Sequence, residues 1–147
     1  MKLLYRLTLL TVLILTIVSC RFVRIRGRSM FPGCFHGDVW VMYVWGDPQP
    51  GDIVGLSFGE RNLAKRLIAG PGDVLLIIGS SVYVNGIRLP EHYIYQSFPY
   101  TPLTLTLGTD EFFVMGDNRN NSYDSRNFGP VKRACIKGVF LLRLWRR

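Results

Sequence analysis

The chain has 147 residues, enough for one domain with a core of its own. A net charge of +8 calls for an anionic partner, either a nucleic acid or a membrane surface. The cations sit just beyond an apolar run, at Arg21, Arg24, Arg26 and Arg28, and again near the C-terminus, with no nucleic-acid-binding motif around them. Membrane lipid is therefore the expected partner, and no nucleic acid is expected. The three cysteines, Cys20, Cys34 and Cys135, form no CxxC pair, and His36 and His92 are the only imidazoles. No metal site and no cofactor is expected. In an oxidising compartment Cys34 and Cys135 are candidates for a disulfide, with two buried thiols as the alternative.

Leu3 to Ser19 is apolar apart from Arg6 and a few threonines, behind a basic start. Its length approaches the ~18–20 residues that cross a bilayer. Residues 1–20 read as an uncleaved N-terminal membrane anchor, one transmembrane helix, with a cleaved signal peptide as the alternative. The four arginines that follow conflict, by the positive-inside rule, with an extracytoplasmic domain.

From Phe22 onward the chain reads as β, and the predicted fold class is all-β. Strands are predicted at Asp38–Trp45, Asp52–Phe58, Asn62–Ile68, Val74–Ile78, Ser81–Val84, Glu111–Met115 and Ala134–Leu144. They are rich in β-branched and aromatic residues and are separated by Gly, Pro, Asn and Asp. Val84-Asn85-Gly86-Ile87 predicts a tight hairpin, because Asn-Gly accepts the positive φ of a type I′ turn. Residues 90–108 read as a loop or an irregular strand pair. No helix is predicted outside the anchor.

Three stretches carry chemistry. Gly27-Arg28-Ser29-Met30-Phe31-Pro32 holds a serine in a Gly/Pro-rich bend ahead of a strand. In Asn62–Ile68, strand alternation places Leu63, Lys65 and Leu67 on one face and Ala64, Arg66 and Ile68 on the other. Leucines around Lys65 favour burial and a lowered pKa, and a neutral amine is a usable general base. A serine beside such a lysine is a nucleophile–base pair that needs no histidine and no metal. Gly116–Arg126 packs two Asp, two Arg, three Asn and two Ser into a polar loop after an apolar strand, a candidate self-satisfying network. Asp124 and Arg126 are spaced to pair on one side of an extended segment, and Ser122 is a candidate partner for the lysine amine.

Together these stretches resemble the bacterial type I signal peptidases, membrane-bound serine–lysine endopeptidases. The resemblance rests on Ser29-Met30-Phe31-Pro32 with Gly37-Asp38, on Gly51-Asp52-Ile53-Val54, on Lys65-Arg66 with Gly70-Pro71-Gly72-Asp73, and on Gly116-Asp117-Asn118-Arg119 with Asn121-Ser122 and Asp124-Ser125-Arg126. It implies Ser29 as nucleophile, Lys65 as general base and Ser122 as the residue orienting Lys65. It implies Asp117, Arg119, Asp124 and Arg126 as structural supports, and the Ser29 main-chain N–H as an oxyanion donor. Gly27 stands where some members supply an oxyanion-hole hydroxyl. Ile25, Met30, Cys34, Leu63 and Ala64 are the implied lining of the substrate cleft. The implied fold is an antiparallel β-sheet catalytic domain over residues 21–147, with a short hairpin insertion near 74–108 and the catalytic side outside the cytoplasmic membrane. The implied substrates are preprotein signal peptides, cut after small residues.

Three rivals remain at this stage. Self-cleaving repressor domains share a Ser-Met box and a later lysine but lack an anchor and the Gly-Asp-Asn-Arg box. A specialised relative would mature one pilin-like or conjugation substrate. A membrane-anchored β domain that binds peptides without cutting them has no need for Ser29, Lys65 and Ser122 together.

Overall fold

A computed structural model describes residues 2–96 and 99–146. Met1 of the expected anchor and residues 97–98 of the expected insertion lie outside the described residues. The apolar N-terminus forms helix α1 (Lys2–Ser19), which leads directly into strand β1 (Cys20–Arg24). Among the described residues, no helix is long and apolar enough to cross a membrane. At 18 residues, α1 rises about 27 Å, against about 30 Å of hydrocarbon.

The rest is built from antiparallel strands: β2 (Val39–Tyr43), β3 (Ile53–Phe58), β4 (Arg61–Ala69), β5 (Val74–Ile78), β6 (Ser81–Val84), β7 (Ile87–Arg88), β8 (Leu103–Thr106), β9 (Glu111–Met115), β10 (Val131–Lys132) and β11 (Ile136–Trp145). A seven-stranded sheet runs in the order β1-β2-β11-β3-β4-β9-β10, and a four-stranded sheet in the order β7-β6-β5-β8. The predicted strands over residues 74–78, 81–84 and 111–115 form with those bounds. The Asn85-Gly86 hairpin forms too, with both residues at positive φ and Val84 paired to Ile87. Not predicted were β1, β10 and the short helix α2 (Ser125–Phe128), while β8 falls within residues 90–108, which read as a loop or an irregular strand pair.

Three apolar clusters hold these pieces. Val54, Leu56, Leu67, Phe112, Val114, Val131, Ile136 and Val139 fill one face of the large sheet. Ile68, Ala69, Phe113 and Met115 join Leu75, Ile77, Val82 and Leu107, locking the small sheet onto β4 and β9. Ile25, Met30, Cys34, Met42 and Phe140 form the third cluster, which seats the serine-bearing loop on the sheet. Burying such side chains stabilises the fold by roughly 1.5–3 kcal/mol each. All three cysteines are free thiols, so Cys34 and Cys135 are not joined.

Candidate active site

The loop between β1 and β2 is pinched at its base. Ile25 N–H donates to the Asp38 carbonyl at 2.8 Å, and Gly37 N–H donates to the Ile25 carbonyl at 2.9 Å. The Asp38 carboxylate accepts from Phe35 N–H at 3.0 Å. Within the loop, Gly27 adopts φ +88°, a left-handed conformation that favours glycine, and its N–H donates to His36 Nδ1 at 3.1 Å. Met30 and Cys34 pack into the third apolar cluster, and Ser29 lies at the cleft described below.

Two hydrogen bonds from Asn118 fix the serine. Its N–H donates to the Ser29 carbonyl at 3.0 Å, and its Nδ2 donates to the Arg28 carbonyl at 3.2 Å. The Ser29 hydroxyl then meets Lys65 Nζ at 2.8 Å. Lys65 is only 2% exposed, and burial lowers its pKa from 10.5 to about 8. The Asp124 carboxylate opposes that shift and the Arg126 guanidinium reinforces it.

The register explains why Lys65 is enclosed on this flank. Strand β9 pairs with β4 from Arg66↔Met115 onward, so the chain leaves the ladder at Gly116, opposite Lys65. A Cβ on Gly116 would lie 2.3 Å from Ser122 Oγ and 2.5 Å from the Ser29 carbonyl oxygen. Only a residue without a side chain lets the serine loop come this close. Gly116→Ala is therefore expected to displace Ser29 from Lys65 and to lower kcat about a hundredfold with little change in KM. Steady-state kinetics on a peptide substrate checks this.

The polar loop is a chain of buried ion pairs. Arg66, on the face of β4 opposite Lys65, grips Asp117 with two bonds of 2.8 and 2.7 Å and donates to the Gly51 carbonyl at 2.6 Å. Burial raises the Asp117 carboxyl even so, while Arg66 pulls it the other way. Arg119 pairs with Glu91 and donates to the Gly116 carbonyl at 3.0 Å. The fully buried Asp124 accepts from Gly116 N–H at 2.9 Å and from Arg126 Nε and Nη2, each at 2.8 Å. Burial pushes the Asp124 carboxyl up, but its bonds to Arg126 outweigh this and hold it below the ordinary value. Asp124 also caps α2 through a reciprocal box with Asn127. Asp124 and Arg126 thus pair across a helix start, not along the extended segment that their spacing suggested.

Ser122 reaches the same place without bonding Lys65. Its buried Oγ lies against Gly116 and near Asp124, outside hydrogen-bond geometry.

In front of Ser29 opens a cleft of about 1090 Å³. Ile25, Met30, Leu63 and Ala64 line it beside Gly27 and Ser29. Cys34 does not; it is fully buried beneath the loop, and burial pushes its thiol up to about 12. Sequence reasoning missed Val23, Met42 and Phe140 in the lining, and Asn118 and Arg66 among the supports. The alternation of β4 carries a signal for Arg66. Nothing local marks Val23, Met42 or Phe140, which converge from three strands.

The family model "Signal peptidase, peptidase S26" matches residues 1–145. A probable signal peptidase I-2 from Synechocystis is 34% identical over 154 residues, covering 94% of this chain and 71% of that protein. Signal peptidase I P from Bacillus subtilis subsp. natto is 37% identical over 133 residues, covering 78% of this chain and 71% of that protein. The crystal structure of a signal peptidase I from Enterococcus faecalis superposes with a TM-score of 0.57 at 34% identity, covering 64% of this chain and 97% of that one. With an all-β fold like that structure and a family match along almost its whole length, this chain belongs to the signal peptidase family, peptidase S26.

Proposed function

We propose that the protein is a serine–lysine endopeptidase that removes N-terminal signal peptides from exported preproteins, cutting after small residues. The observation that carries this reading is the 2.8 Å contact between Ser29 Oγ and a buried Lys65 whose pKa is lowered to about 8. In its neutral form, the Lys65 amine accepts the Ser29 hydroxyl proton as Oγ attacks the scissile carbonyl carbon. The carbonyl π pair moves onto oxygen, and the Ser29 main-chain N–H stabilises the oxyanion. The Lys65 ammonium then gives its proton to the leaving amine as the C–N bond breaks. The mature protein departs and the signal peptide stays as an ester on Ser29. Water, deprotonated by Lys65, attacks that ester, and Ser29 leaves with the proton. Gly27 offers no hydroxyl, so the oxyanion hole is a backbone one.

Two strand edges border the cleft. β1 ends the large sheet, and β9 leaves the edge of β4 over Arg61–Lys65 with no strand partner among the described residues. An extended peptide fits between them as an added strand, its carbonyl presented to Ser29. Ile25, Met30, Leu63 and Phe140 crowd the lining, which supports small substrate residues at the first and third positions before the cut.

Residues 1–20 serve as the membrane anchor and 21–147 as the peptidase domain, with the small sheet as an insertion. Phe22 on β1, Trp45 in the turn after β2, and Leu142 and Trp145 on β11 are exposed, which supports seating against lipid on the extracytoplasmic side of the cytoplasmic membrane. The test is cleavage of a model preprotein in detergent by the full chain, beside Ser29→Ala. Cutting at a small-x-small site that disappears in the variant is the expected result. A folded wild type that does not cut overturns the reading.

A further inference from the structure

The arginines that serve structure all have partners: Arg66 with Asp117, Arg119 with Glu91, Arg126 with Asp124 and Arg143 with Asp38. Arg21, Arg24, Arg26 and Lys137 differ. They line the cleft, and none of them forms an ion pair among the described residues. The one carboxylate in the lining is Glu60. Four cations around an apolar trough focus a positive potential where the peptide must lie.

Alternation along the strand sets the direction of this charge. Ile25 is buried and Val23 half-buried, whereas Arg24 and Arg26 are exposed. Arg26 stands three residues before Ser29 and Arg24 five before it. Their backbones are therefore at most about 11 and 18 Å from the serine. A peptide added beside this strand, with its first and third residues facing inward, turns its second and fourth residues outward toward these arginines.

Resting on the peptidase reading above, we propose that Arg24 and Arg26 make the cleft select signal peptides with a carboxylate at the second or fourth residue before the scissile bond, and disfavour lysine there. The guanidinium groups attract the carboxylate before and during docking, so the effect falls on kcat/KM.

The test uses three peptides with one small-x-small site, carrying Glu, Gln or Lys at both outward positions, assayed in neutral detergent. At low salt the Glu peptide is expected to exceed the Lys peptide in kcat/KM about tenfold, and the ratio is expected to shrink at high salt. In Arg24→Gln/Arg26→Gln the ratio is expected to fall to about one, whatever the absolute rate. Equal rates for the three peptides in the wild type overturn the inference, as does a ratio that survives in the double variant. So does a double variant that keeps the ratio and loses only its binding to vesicles of anionic lipid, which would assign these arginines to the membrane. Failure to cut any of the three peptides removes the peptidase reading and this inference with it.

Discussion

Lys65→Met is expected to abolish cleavage while making the folded chain more stable. Methionine keeps the length of the lysine stem and fills the same space without an amine. Loss of the general base should lower kcat by about 10³-fold or more. The gain in stability follows from the titration. Burial lowers the Lys65 pKa to about 8 from 10.5, so at neutral pH the unfolded chain holds that proton more tightly than the folded one. The resulting cost is fully present below pH 8, shrinks between 8 and 10.5, and is absent above that. Removing the amine should therefore stabilise the protein by about 3 kcal/mol at pH 7 and by almost nothing at pH 11. Denaturation of both proteins at the two pH values reads this directly. The same titration shapes the wild-type rate. Its kcat/KM should climb with pH and level off above about 8, since only the neutral amine is a base. A Lys65→Met protein that still cuts, or a flat profile across that range, would sink the base assignment.

The second large effect concerns Asp124, which touches neither substrate nor nucleophile. Its carboxylate satisfies the Gly116 N–H, both Arg126 contacts and the first turn of α2 from a fully buried position. Asp124→Ala leaves the Arg126 guanidinium, 14% exposed, without its counter-charge and orphans a buried N–H. Breaking such a pair costs about 3–5 kcal/mol, and the Tm should fall by on the order of 10 °C. A fall of only a degree or two would show that the network is dispensable. Asp124→Asn keeps the shape and removes the charge. Asp124 raises the Lys65 pKa, so the Asn variant should move the acid limb of the pH–rate profile to lower pH, a shift that lost packing alone would not produce.

Strands and site differ in how far local patterns reveal them. Strands 74–78 and 81–84 are short apolar runs bounded by turn residues, and their ends follow from those turns. β1 is harder to read because Arg21 and Arg24 break its apolar character; as the end strand of its sheet it leaves those arginines to solvent. β8 alternates Leu and Thr, yet the irregular chain before it hides that signal. α2 is four residues long and owes its existence to the Asp124–Asn127 box, not to any helical periodicity.

By itself the sequence determined the β class, the Asn85-Gly86 turn, and the residue types of a serine, a lysine and a polar loop in the right order. Those are properties of neighbouring residues, written in local pattern and turn chemistry. Only the tertiary structure decided that Ser29 and Lys65, 36 residues apart, share a hydrogen bond. It also decided that Cys34 lies beneath the loop and not in the cleft, and that Asp117 answers Arg66 while Asp124 answers Arg126. Each of these depends on where β9 leaves its ladder and on how closely Gly116 lets the serine loop approach. Such distances are set by packing between strands far apart in the chain, and no local pattern contains them.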